Sequence, residues 1–131
     1  MMRRYFSNKR GQTMVEFALV LPILLLLIFG IFQFGMMLYS LESVNAAARE
    51  GARVAAVGAD DAAIAARARA SVGNTGFFNP NNLVIAADRS SPGSIRVTVQ
   101  LPNSQLMLLP FVSRFVPANL VGEVTMRDET L

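Results

Sequence analysis

The pattern of apolar and polar positions changes character three times along the chain. Residues 17–41 carry no charged side chain, and between Phe17 and Phe34 fourteen positions are Leu, Ile, Phe or Val. As a helix this stretch reaches about 37 Å, enough to cross a hydrocarbon core of about 30 Å with some tilt. At about −0.3 to −0.6 kcal/mol each, those side chains contribute roughly −4 to −8 kcal/mol to insertion. Pro22, Gly30 and Gln33 subtract from that sum without reversing it. A buried core helix would be shorter and would keep a polar stripe, and this run is apolar all round. The pattern therefore predicts a transmembrane helix over residues 12–41.

Helical character continues beyond it. Residues 41–57 are rich in Ala, Glu and Arg and contain no Pro, so helix propensity is high despite the roughly 1 kcal/mol that Gly51 costs relative to Ala. Gly51 has Ala48, Ala52 and Ala55 as small neighbours. Such spacing permits close helix packing, in lipid or at a tight interface. It fits equally an ordinary Ala-rich helix with Arg49, Glu50 and Arg53 in water. Gly58 ends or bends this helix, and Asp60 is placed to cap a second one, with Asp61 in its first turn favoured by the helix dipole. That second helix runs from Ala62 to about Val72 and stops at Gly73-Asn74.

The remainder reads as strand. Leu83-Val84-Ile85-Ala86 is short and β-prone. Residues 94–101 alternate, with Ile95, Val97, Val99 and Leu101 on one face and Arg96, Thr98 and Gln100 on the other. The intervening Arg89-Ser90-Ser91-Pro92-Gly93 is turn chemistry, so the two runs form a hairpin. Residues 120–127 supply a third strand. Residues 105–115 are apolar, are interrupted by Pro110, and fit a short helix or a packed loop. The expected fold class is α+β: a long N-terminal transmembrane helix extending out of the membrane, a short second helix, and an antiparallel sheet of about three strands. Its divisions are residues 1–11, 12–41, 42–72 and 73–131. The exported part is small enough to be marginal alone.

Charge adds topology. The net charge is +3, but Arg3, Arg4, Lys9 and Arg10 all precede Gly11. From Gln12 onward eight Arg face nine Asp or Glu. A nucleic-acid surface would cluster its basic residues on a folded face. A basic tail just before an apolar span instead places the N-terminus in the cytoplasm and the C-terminal domain outside. The absence of Cys and His excludes disulfides, thiol chemistry, the usual general base and the commonest metal ligand. The one Lys, Lys9, lies in the tail, and no phosphate-binding loop is present because Gly73-Asn74-Thr75-Gly76 lacks its Lys. No catalytic, metal-binding or cofactor-binding residue is expected.

The remaining chemistry lies in Lys9-Arg10-Gly11-Gln12-Thr13-Met14-Val15-Glu16-Phe17, where a basic tail ends in Gly and a single acid stands at the mouth of the span. A Gly favours the extended, accessible backbone that a protease needs. A charge costs on the order of 3 kcal/mol at a membrane helix centre and less near the interface. Glu16 is therefore paired, or it snorkels to the headgroups. An ordinary signal peptide would have a shorter apolar run followed by a small-residue cleavage site. Ala46-Ala47-Ala48 offers such a site but lies beyond the run. Pro22 removes the amide that would bond the Ala18 carbonyl and predicts a kink.

This constellation resembles the prepilin leader of type IV pilins. The runs Val15-Glu16-Phe17-Ala18-Leu19-Val20-Leu21-Pro22 and Asn45-Ala46-Ala47-Ala48-Arg49-Glu50-Gly51-Ala52-Arg53 resemble the TadE-like family of tight-adherence (Flp) pilus systems. Glu123-Val124-Thr125-Met126-Arg127 does so more weakly, and residues 73–118 carry no matching motif. The resemblance implies a minor pilin or pseudopilin in the cytoplasmic membrane, acting in pilus assembly or adhesion. It implies cleavage by a prepilin peptidase between Gly11 and Gln12. It further implies that Glu16 pairs with the new Gln12 ammonium of an adjacent subunit. The implied partners are that peptidase, other pilin or pseudopilin subunits, the Tad assembly platform and the lipid bilayer. The other reading of the same chain is a membrane-anchored extracytoplasmic binding module that never enters a filament.

Overall fold

The structure, a computed structural model, describes residues 9–73, 76–102, 104, 106, 114 and 116–130, without the side chains of Lys9 and Arg10. It divides into two compact units, Met1–Phe34 and Gly35–Leu131. One helix, α1 (Lys9–Ala56), contributes to both.

In the first unit α1 is a bare apolar rod. Residues 11–32 are all exposed, including Phe17, Leu19, Ile23, Leu27, Phe29 and Ile31. A core helix of a water-soluble domain would bury one face of such a run. This helix is long and apolar enough to cross a membrane, and none of its most hydropathic window is buried. Pro22 sits inside it. The helix continues on both sides, because Pro22 deletes one donor and leaves the neighbouring bonds intact.

In the second unit the same helix acquires a buried face. Met37, Leu41, Val44, Ala48, Ala52 and Ala55 recur at helical spacing and join the core, as does Ala47. The end of α1 is set by Gly58 at φ +84°. The Gly58 amide donates to the Ala55 carbonyl at 3.0 Å and the Ala59 amide to the Val54 carbonyl at 3.4 Å. These two bonds close a Schellman cap and satisfy carbonyls that the helix end would otherwise orphan. The chain then enters α2 (Asp61–Val72), where the Asp60 carboxylate accepts from the Ala63 amide at 2.9 Å. The α2 helix buries Ile64, Ala68 and Val72.

After a single 3-10 turn (Pro80–Asn82), three strands follow: β1 (Val84–Asp88), β2 (Ser94–Pro102) and β3 (Asn119–Arg127). The sheet is antiparallel in the order β1-β2-β3. Its first hairpin turns at Ser91-Pro92-Gly93-Ser94, closed by the Ser94 amide on the Ser91 carbonyl at 3.2 Å. Pro92 presets φ at the second position, and Gly93 supplies φ +76° at the third. Central strand β2 buries Ile95, Val97, Val99 and Leu101, while Arg96, Thr98 and Gln100 take the opposite face. The α+β class, the alternation in β2 and the hairpin all agree with the sequence pattern. The stretch 105–115 falls mostly outside the described residues; within it Leu106 is buried and Arg114 is exposed.

Candidate functional site

The N-terminal constellation occupies the first turns of α1. Gly11 is exposed and helical, with nothing within 4 Å of where a Cβ would stand. The extended backbone expected at this position is not observed, because helix propagation from the apolar run carries back as far as Lys9. The first turn of a helix holds amides without intrahelical partners and frays readily. Gln12 and Glu16 are one turn apart, and Gln12 Nε2 donates to Glu16 Oε1 at 3.2 Å. Both are exposed. Glu16 thus has one acceptor oxygen engaged by its own chain and faces outward at the start of the apolar rod. Among the described residues, no group of three Asp or Glu side chains converges to hold a metal ion.

The small residues of α1 are used within the chain. Ala48, Ala52 and Ala55 are wholly buried against the rest of the second unit. Gly51 lies where α1 meets both α2 and the sheet. A Cβ there would stand 3.2 Å from Val97 Cγ1, 3.5 Å from Ala68 Cβ and 3.6 Å from Ile64 Cγ2. The contact is therefore a tight interface between α1, α2 and β2.

Glu50, next to that contact, is clamped from two sides. Arg53 donates through Nε and Nη2 to its two oxygens at 3.1 and 2.8 Å, and Arg67 Nε donates to Oε1 at 2.8 Å. The bonds from Arg53, then that from Arg67, hold the Glu50 carboxyl down at about 2 from an ordinary value of 4.5. Arg49, by contrast, pairs with Glu42 at 2.8 Å on an exposed face. A second clasp joins the hairpin turn to the start of α2: Arg89 donates to the Asp61 carboxylate at 2.6 Å and to the Ala59 carbonyl at 2.8 Å.

Two structural requirements went unread in the sequence. Gly122 lies in β3, where a Cβ would come within 2.9 Å of the Val44 carbonyl oxygen and of Asn45 Oδ1. The strand thus meets the backbone of α1 directly. Its signal was a Gly inside a strand pattern, which often marks close backbone approach. Arg67 had no signal at all, since its partner Glu50 lies on another helix.

Residues 11–53 match the family described as TadE-like protein. The N-terminal segment of this chain is similar to that family. That segment begins at Gly11, includes Glu16, contains the whole exposed rod, and ends at Arg53 of the Glu50 clamp. The TadE-like segment thus stops short of α2 and the sheet. No curated protein and no solved structure matches the chain.

Proposed function

We propose that this protein is a minor pilin or pseudopilin of a Tad (Flp) pilus, anchored by α1 in the cytoplasmic membrane with its N-terminus in the cytoplasm and its sheet domain outside. A prepilin peptidase cuts between Gly11 and Gln12. Glu16 then pairs with the Gln12 ammonium of a neighbouring subunit, and the chain acts in assembly or adhesion together with the Tad platform. The TadE-like family is pilus-associated and is not a family of enzymes. One observation carries the reading. The family match opens at Gly11, where a leader would end, and continues through Glu16 into a helix whose side chains are all exposed as far as Phe32. Such a helix can be surrounded by lipid before assembly and by other helices after it. A carboxylate at the mouth of that helix is costly without a cationic partner.

The test is Glu16→Ala in a pilus-producing bacterium, with photo-crosslinkers placed in the span. The expected result is normal cleavage and membrane anchoring with loss of crosslinks to other pilin subunits. Crosslinks retained at the wild-type level would remove the pairing role. A wild-type chain that crosslinks only to lipid would be a membrane-anchored binding module.

A further inference from the structure

We propose that the loop of residues 76–82 is a second membrane contact, seated in the headgroup layer of the outer leaflet beside the emerging helix. The proposal rests on the reading of α1 as a membrane span. Tyr39 lies in the last uncharged stretch of that helix, three positions before Glu42. Counting from Phe17, a hydrocarbon core takes about 20 residues, so Tyr39 falls in the interfacial layer just beyond it. Aromatic side chains concentrate in that layer. Phe77, from the loop, meets the Tyr39 ring edge-on with centroids 5.6 Å apart. Both rings remain exposed, Tyr39 by 48% and Phe77 by 41%, next to Leu38 at 52%. A Tyr–Phe pair in water would gain by burying more of this area. The half-exposed pair and Leu38 give the second unit an apolar surface at the end of the uncharged stretch of α1.

The composition of the surrounding chain fits the same layer. Residues 73–87 carry no charged side chain of their own, so the loop itself takes no ion to the bilayer; the Arg69 guanidinium reaches the end of the segment, donating through Nη2 to the Leu83 carbonyl at 3.3 Å. The polar groups of the loop are neutral, and some are satisfied internally. Asn79 accepts from the Asn81 amide at 3.0 Å, and the Leu83 amide donates to the Pro80 carbonyl at 3.2 Å. The charged clasps of the domain, Glu50 with Arg53 and Arg67, and Arg89 with Asp61, lie on other segments.

The chain contains no Trp, so single Trp variants report depth without background. The full chain is placed in vesicles of phosphatidylethanolamine and phosphatidylglycerol containing lipids brominated at shallow or deep acyl positions. Phe29→Trp, in the middle of the span, is expected to be quenched by the deep bromines. Phe77→Trp is expected to emit to the blue of aqueous Trp, to be quenched at least twofold by the shallow bromines, and to resist aqueous iodide. Val121→Trp, on the exposed face of β3, is expected to respond to iodide alone. Quenching of Phe29→Trp without quenching of Phe77→Trp would overturn the loop contact while leaving the span intact. Absence of lipid quenching at Phe29→Trp would overturn the span and the loop contact together. A nitroxide on Asn81→Cys gives a second reading of the loop. Its oxygen and nickel-chelate accessibilities should match the headgroup layer, and accessibilities equal to those of a label in bulk water would refute the contact. Protection of Phe77→Trp from iodide in lipid-free detergent-stripped oligomers, with none in vesicles, would assign the surface to a protein partner instead.

Discussion

Substituting Gly122 by Ala should destabilise the sheet domain, although the backbone of β3 would favour the change. In a strand interior Ala is preferred to Gly by roughly 0.5–1 kcal/mol. Against this, the new methyl would stand 2.9 Å from the Val44 carbonyl oxygen and from Asn45 Oδ1, and 3.0 Å from the Val44 carbonyl carbon. Two of these three atoms belong to the α1 backbone, which cannot rotate out of the way. Relief requires α1 and β3 to separate by about half an ångström. A gap of that size forfeits a quarter or more of each dispersion contact across it. Val44 and Leu120 are both buried beside this contact, and overpacking at such sites costs about 1–3 kcal/mol. The net expectation is a loss of about 1.5 kcal/mol, or a fall in Tm of roughly 6–12 °C for a domain of this size. Thermal unfolding of the full chain in detergent micelles, followed by hydrogen exchange of the β2 amides, gives the value. Gly30→Ala, where nothing lies within 4 Å of the new Cβ, is the control and should leave the sheet unchanged. A Gly122→Ala melt within about 2 °C of wild type would refute the argument that the strand and helix backbones are in contact.

Gly58 holds φ +84°, and a Cβ there would stand 2.9 Å from Thr130 Cγ2; Gly58→Ala should cost about 1–2 kcal/mol from backbone conformation alone, and Gly58→Asn less, in the same melt. Gly51→Leu should cost about 2–3 kcal/mol, since Val97, Ala68 and Ile64 close the space around it, whereas Gly51→Ala gains helix propensity and should stay within about 1 kcal/mol of wild type. Glu50 has its carboxyl lowered to about 2 from 4.5, so its contribution is fully present above pH 4.5 and is lost as the pH falls towards 2. Glu50→Gln should therefore flatten the acid limb of the stability profile, and a carbon-13 titration midpoint for Glu50 near 4.5 would contradict the two-arginine clamp.

The features legible in the sequence were those decided locally. Gly58 and Asp60 announce a helix end and a helix start because caps depend on the residues beside them, and the structure has both. The alternation of β2 was readable because one face of a sheet lies against a core. The apolar rod was readable because no polar stripe interrupts it. The unread features depend on contacts between distant parts of the chain. Gly122 was visible as a Gly in a strand, but nothing near it in sequence names Val44 and Asn45 as its neighbours. Glu50 and Arg53 looked like solvated charges on one helix until Arg67 approached from α2. Phe77 meets Tyr39 only because the chain folds back along α1. The two readings of Gly51, close packing or a plain Ala-rich helix, differ by whether another element covers it. Val97, Ala68 and Ile64 do so.

The most direct test of the account is the intact mass of the membrane-extracted protein, made with and without a co-expressed prepilin peptidase whose activity is verified on a control pilin. The account predicts a peptidase-dependent loss of residues 1–11, leaving Gln12 as the new N-terminus and the rest of the chain in the membrane. A full-length mass in the presence of the active enzyme would contradict it, and a product starting at Arg49 would make the apolar rod an ordinary signal peptide.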